Sequence, residues 1–141
     1  MIRKTSETRA LAGTVVNTYS ESQTSAYSCN YVNPKLLWAN PNPTSSFSNQ
    51  NITLSSSDYD MLLVIYEQST NNRRLMSQIV PKGETIRLFG VGYGTEPQAI
   101  FRNIDYTDST TLAVGSCLNN NSTDNSANIP LYVIGYKTGL F

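Results

Sequence analysis

MLLVIYEQSTNNRRLMSQIV, Met61–Val80, is the stretch that decides the fold class. Every position from Met61 to Tyr66 is apolar, which is the pattern of a strand covered on both faces of its pleat. STNN, Ser69–Asn72, follows as a connection of hairpin length, and Arg73–Val80 then shows the alternation of a strand with one polar face. The segment reads as an antiparallel hairpin with a central strand.

Working outward, short apolar runs keep alternating with turn signals, as in a β-sandwich. The expected strands are Leu36–Trp38, Asn51–Leu54, Met61–Gln68, Arg73–Val80, Glu84–Phe89, Ala99–Tyr106, Thr111–Leu118 and Ile129–Lys137. Between them lie SSSDYD, PKGE, GYGTEP, TDST and NNNSTDNSAN, rich in residues that tolerate turn dihedrals. Ile129–Tyr136, IPLYVIGY, shares the two-sided apolar character of Met61–Tyr66, so both are expected to be central strands. Their outer faces then need a cover, from a neighbouring subunit or from a loop or the N-terminal arm. Residues 1–35, with few large aliphatics and runs such as NTYSESQTSAYS, read as an extended arm preceding a sandwich domain over residues 36–141. A short helix over Ser6–Val16 is weakened by Gly13, Val15 and Val16. The fold class is all-β: an antiparallel, jelly-roll-like sandwich with an extended N-terminal arm.

Composition narrows the function. Only 14% of the 141 residues are charged, and ten basic side chains balance ten acidic ones. Nucleic-acid binding needs a basic stripe and anionic lipid a polybasic patch, and neither is present in the sequence. No segment approaches the ~20 apolar residues that span a bilayer, and MIRKTSETRALAG lacks the apolar core of a signal peptide. Synthesis in a cytoplasm, with Cys29 and Cys117 as reduced thiols, is the expectation.

Motifs for chemistry are scarce. The chain has no histidine, which excludes nucleophile–histidine mechanisms, and two distant cysteines make no metal site. Asp58, Asp60, Glu67, Glu84, Glu96, Asp105 and Asp108 could supply a carboxylate pair for glycoside hydrolysis, but most sit in turns, where solvated acids are usual. GVGYGT, Gly90–Thr95, lacks the lysine and helix of a phosphate loop and reads as a turn with Tyr93 at its tip. No catalytic residue, metal or cofactor is expected. Tyr93 and Tyr106, with Asp105 and Asp108 beside the second, are the candidate glycan or receptor contacts: an exposed ring stacks on sugar C–H groups while acids accept hydroxyl hydrogen bonds.

LLWANPNPTSSFSNQNITL, Leu36–Leu54, followed by SSSDYDMLLVIYE, resembles the start of a β-sandwich module of bacteriophage tail-fibre and tail-tip proteins. GTVVNTYSESQTSAYSCNYVN, FRNIDYTDSTTLAVGSCLNNN and IPLYVIGYK are similar to other parts of such modules. The resemblance implies a homotrimeric virion component without enzymatic activity, made in the bacterial host's cytoplasm. Its partners would be other virion proteins and a host-surface glycan or protein. It also implies structural anchors, Trp38 burying its ring and Phe47 giving a second apolar contact, with Pro41 and Pro43 holding the chain extended. Members usually end longer polypeptides, whereas this chain starts shortly before the module. The alternatives are a capsid decoration or head-fibre protein, a soluble carbohydrate-binding sandwich, and a hydrolase with paired carboxylates.

Overall fold

The computed structural model describes residues 34–69, 74–93, 97–108 and 110–138. The expected arm, the helix considered within it, Cys29, Glu96 and most of the hairpin tip after Ser69 lie outside these residues. The described strands are β1 Lys35–Ala39, β2 Gln50–Thr53, β3 Met61–Ser69, β4 Leu75–Pro81 and β5 Thr85–Tyr93. They continue with β6 Pro97–Asp108, β7 Thr111–Asn119, the two-residue β8 Ser122–Thr123, and β9 Ala127–Tyr136. Among the described residues there is no helix.

The strands form two antiparallel sheets packed as a sandwich. One is four-stranded, in the order β1-β9-β3-β4; the other is five-stranded, in the order β2-β7-β6-β5 with β8 beside β7. Among the described residues, the first three strands alternate between sheets, and the first pairs with the last, as in a jelly roll. The middle of the chain departs from that wrapping: β3–β4 is a hairpin within one sheet and β5–β6–β7 a meander within the other. The strands with two apolar faces, β3 and β9, are the two central strands of the four-stranded sheet.

Alternation along the strands fills the interior. Leu62, Val64 and Tyr66 of β3 meet Val133 and Leu131 of β9, Leu88 of β5, Ile104 and Tyr106 of β6, and Leu112 and Val114 of β7 in one buried cluster. Gly135 sits where a Cβ would come within 2.6 Å of the Tyr59 ring and 2.7 Å of Leu37, so β9 needs a glycine at that contact. β4 crosses to β5 through a turn in which Glu84 N–H donates to Pro81 O at 3.2 Å, with Gly83 at φ 88° in the position that demands a left-handed residue. Asn120 and Asn121, at φ 48° and 69°, close β7 onto β8 as a two-residue turn of the type that matches strand twist.

The first four residues of GVGYGT are strand and not turn; its last two lie outside the described residues. Gly90–Tyr93 continues β5, paired with Pro97–Ile100. Glycine is needed at position 90 because a Cβ there would lie 2.6 Å from Asn128 Oδ1 and 3.2 Å from Gln68 Cγ, side chains reaching over from the other sheet.

Candidate functional site

The residues expected to meet a receptor are not brought together as a site. Tyr106 lies inside β6, not in a turn, and follows Arg102 and Ile104 on the inward side of the pleat. It is fully buried, and its hydroxyl donates to Tyr59 O at 2.7 Å. Burial, with the Asp60 charge adding to it, raises its phenol pKa. Tyr106 is therefore a core residue, and the expectation of an exposed ring there is corrected. Asp105, its neighbour, points outward, half-buried, and its Oδ1 is shielded from solvent with no hydrogen bond among the described residues. The side chains of Tyr93 and Asp108 lie outside the described residues.

Both anchors are in place, but their depths differ from expectation. Phe47 is the buried one, at 6% exposure, and Trp38 is only partly buried at the margin of the core. The rings meet edge to face, with centroids 6.0 Å apart and planes at 84°. A β-bulge explains Trp38. Val133 pairs with Trp38 and Ile134 with Leu36, leaving Leu37 as the extra residue, so Leu37 and Trp38 both turn toward the interior.

The Asn-, Pro- and Ser-rich loop after Trp38 is tied down at both ends. Asn40 N–H donates to Leu131 O at 2.9 Å and Asn40 Nδ2 to Pro130 O at 2.8 Å, while Phe47 N–H donates to Asn125 O at 2.9 Å. Asn40 Oδ1 also accepts from Asn42 N–H at 2.8 Å. The loop joins β1 to β2, each an edge strand of its sheet among the described residues. Between loop and strands lies a groove of about 410 Å³ bounded by Trp38, Phe47, Ile52, Asn42, Asn51 and Thr53.

The second surface is the outer face of the four-stranded sheet. Cross-strand register places Leu36, Ile134, Leu63 and Ile79 in one row over all four strands. A second row runs Ala39, Tyr132, Ile65, Ser77, and a third Tyr136, Met61, Pro81. None of these residues is charged. Leu36, Ile79 and Tyr132 are 53%, 49% and 45% exposed. The opposite face of the sandwich is mixed: exposed Phe89 and Val91 stand near Arg87, whose guanidinium lies 4.5 Å from the Phe101 ring centre and whose Nε donates to Asn103 Oδ1 at 3.3 Å.

Two charged side chains are enclosed, Glu67 on β3 and Arg102 on β6. Arg102 is fully buried, and its guanidinium donates to three backbone carbonyls: Asn128 at 2.9 Å, Gly115 at 2.7 Å and Ala127 at 3.0 Å. Burial lowers its pKa, with Cys117 and Asp124 acting against that shift. Burial likewise pushes the Cys117 thiol, its cross-strand partner, up to about 11 despite the nearby guanidinium. Asp124 is held below the ordinary carboxylate value chiefly by the Ser126 hydroxyl, whose donor lies at 2.6 Å. These groups lock the entry of β9. Among the described residues, no group of three or more His, Cys, Asp or Glu side chains could hold a metal ion.

The comparisons add no relative: no family model, no curated protein and no solved structure matches the chain.

The groove is not apparent in Leu36–Leu54 as a sequence, which reads as framework. The available signal was the chain's single Trp followed by uncharged amides and hydroxyls. The inward position of Tyr106 was also legible, since Ile104 and Tyr106 share parity once the strand is carried past position 106.

Proposed function

We propose that the protein is a non-enzymatic structural component of a bacteriophage particle, of the tail-fibre or tail-tip type, that assembles as a homotrimer and takes part in host-surface attachment. The observation carrying the assembly half is the uncharged row Leu36–Ile134–Leu63–Ile79 with the Tyr132–Ile65 row beside it. An apolar face wider than scattered surface residues calls for a cover. A rotational assembly of identical chains supplies one without requiring charge complementarity, which a chain 14% charged has little means to provide. The phage assignment rests on the resemblance of Leu36–Leu54 and the later segments to tail-fibre and tail-tip modules.

Light scattering on the purified chain tests the reading. A trimer is expected, and Ile134→Arg, which sets a charge in the middle of the row, is expected to give monomers that keep the β-sheet circular dichroism spectrum. A monodisperse monomer of the unaltered chain at micromolar concentration overturns it. The soluble carbohydrate-binding module is the second reading, favoured by the groove beside Trp38, and a monomer that binds sugar would select it.

A further inference from the structure

We propose that the groove between the edge strands β1 and β2 is a binding site for neutral oligosaccharides, with Trp38 as the stacking ring and Asn42, Asn51 and Thr53 as the hydroxyl-reading side chains. The proposal deepens the attachment half of the function above, and rests on it only for the source of the sugar.

Four observations converge on this groove. Its volume of about 410 Å³ falls within the ~300–1,000 Å³ of small-ligand sites. Its apolar content is graded: Phe47 is buried at 6% exposure, while Trp38, half-buried and held edge-on by Phe47, keeps part of its indole open. A ring fixed in this way can stack on the C–H face of a pyranose at little cost in side-chain entropy.

The remaining lining is uncharged and carries both donors and acceptors. The exposed side chains of Asn42, Asn51 and Thr53 make no hydrogen bond to another described residue, so their capacity is turned to solvent. An amide presents a carbonyl acceptor and an NH₂ donor side by side, which suits adjacent sugar hydroxyls, and a threonine hydroxyl can do either. Asn51 and Thr53 are two apart on a strand and so face the same way, away from the core-facing Ile52 between them. The absence of charge from this lining argues against an acidic glycan.

The frame is built before any ligand arrives. The Asn40 and Phe47 hydrogen bonds to β9 and to Asn125 fix both ends of the loop, and Asn40 spends its own side chain on Pro130 and Asn42 N–H, leaving the more exposed Asn42 side chain as the outward amide. A preformed site keeps the ordering cost of binding low. An extended peptide added to β2 is the competing occupant, but a strand of four residues offers few backbone bonds for it.

The single tryptophan makes the site directly observable, because Trp38 is the only source of indole emission. The full chain is titrated with maltotriose, lactose, N-acetylglucosamine trimer and, as the acidic arm, sialyllactose. A short uncharged Thr- and Val-rich peptide is titrated as the competing ligand. The expected result is a saturable change in emission with at least one neutral sugar, weakened at least tenfold in Asn42→Ala/Asn51→Ala. Those substitutions lie on the surface, and Thr53→Val is a second probe should the double variant misfold. Silence with all three neutral sugars overturns the proposal, as does a response confined to sialyllactose or to the peptide, or one that survives both sets of substitutions. Light scattering on the same samples keeps the two readings apart: a trimer whose indole is silent removes only the groove, and a sugar-binding monomer removes only the assembly.

Discussion

The interior contains two compartments of opposite character. The larger is an apolar core in which Leu62, Val64, Leu88, Ile104 and Leu112 interdigitate, with the Tyr66 and Tyr106 hydroxyls turned to backbone carbonyls at its margin. The smaller, around Ile100, Cys117 and Ala127, is stitched by polar side chains that reach backbone carbonyls. Arg102 stands at the boundary, its guanidinium 5.6 Å from the Phe47 ring centre and bonded both to the neighbouring strand β7 and to β9 of the opposite sheet. Asn128 Nδ2 donates to Leu88 O at 2.9 Å, Gln68 Nε2 to Val91 O, and Tyr66 Oη to Phe89 O at 2.8 Å. The difference teaches a division of labour. Apolar packing supplies most of the free energy but tolerates rearrangement, whereas each carbonyl contact admits one register and so sets how one sheet is laid on the other.

The largest break in this comparison is expected from Arg102→Ala. It would strip donors from three enclosed carbonyls and open a cavity beside Phe47, at a cost of about 4 kcal/mol in chemical denaturation. Arg102→Lys should recover little, because an ammonium lacks the planar fork that reaches three acceptors. If the lysine variant is as stable as the parent, the fork is not what holds β9.

Leu62→Ala in the larger compartment should cost about 3 kcal/mol, within the usual ~2–5 for a buried leucine. Its denaturant slope should stay that of the parent, since packing is lost without a change of register. A smaller effect is expected at the seam itself: Tyr66→Phe removes only the donor to Phe89 O, for about 1 kcal/mol. A loss below ~0.3 kcal/mol there would show that the carbonyl is equally well served by water.

The smallest test is by pH. Cys117 and Tyr66 both titrate above their ordinary values because burial disfavours their charged forms. A folded-state pKa raised in this way contributes stability that is complete below the unfolded value and is lost as pH rises through the folded one. Stability should therefore decline from pH 9.0 upward, with the thiol's share gone above about 11, and Cys117→Ala should flatten the decline over that window in urea titrations. Equal slopes for the two proteins would mean that the thiol is not the group responsible.

Legibility in the sequence divided along the same line. The strands of the larger compartment announce themselves by alternation or by unbroken apolar runs, and β3 and β9 were identifiable as central because both their faces are apolar. The smaller compartment was opaque. Arginine is so seldom fully buried that Arg102 in FRNIDY reads as a surface residue, and its burial depends on carbonyls from β7 and β9 that only tertiary structure assembles. Gly90 of GVGYGT carries the same lesson: it looks like a turn residue, and it is glycine because a carboxamide from a distant strand needs the space. The groove was hidden for a third reason, since it lies between a strand and a loop whose placement depends on how the loop is pinned to β9.

The pairing of the first strand with the last has a consequence for engineering. Lys35 lies opposite Gly135, so the sandwich takes in and releases its backbone at neighbouring points on one sheet. A domain of this kind can hang from another polypeptide as a pendant, leaving the path of its carrier almost undisturbed. It also lends itself to circular permutation: a short linker between those neighbouring points, with new ends opened at the exposed Asn120–Asn121 turn, would leave both sheets whole.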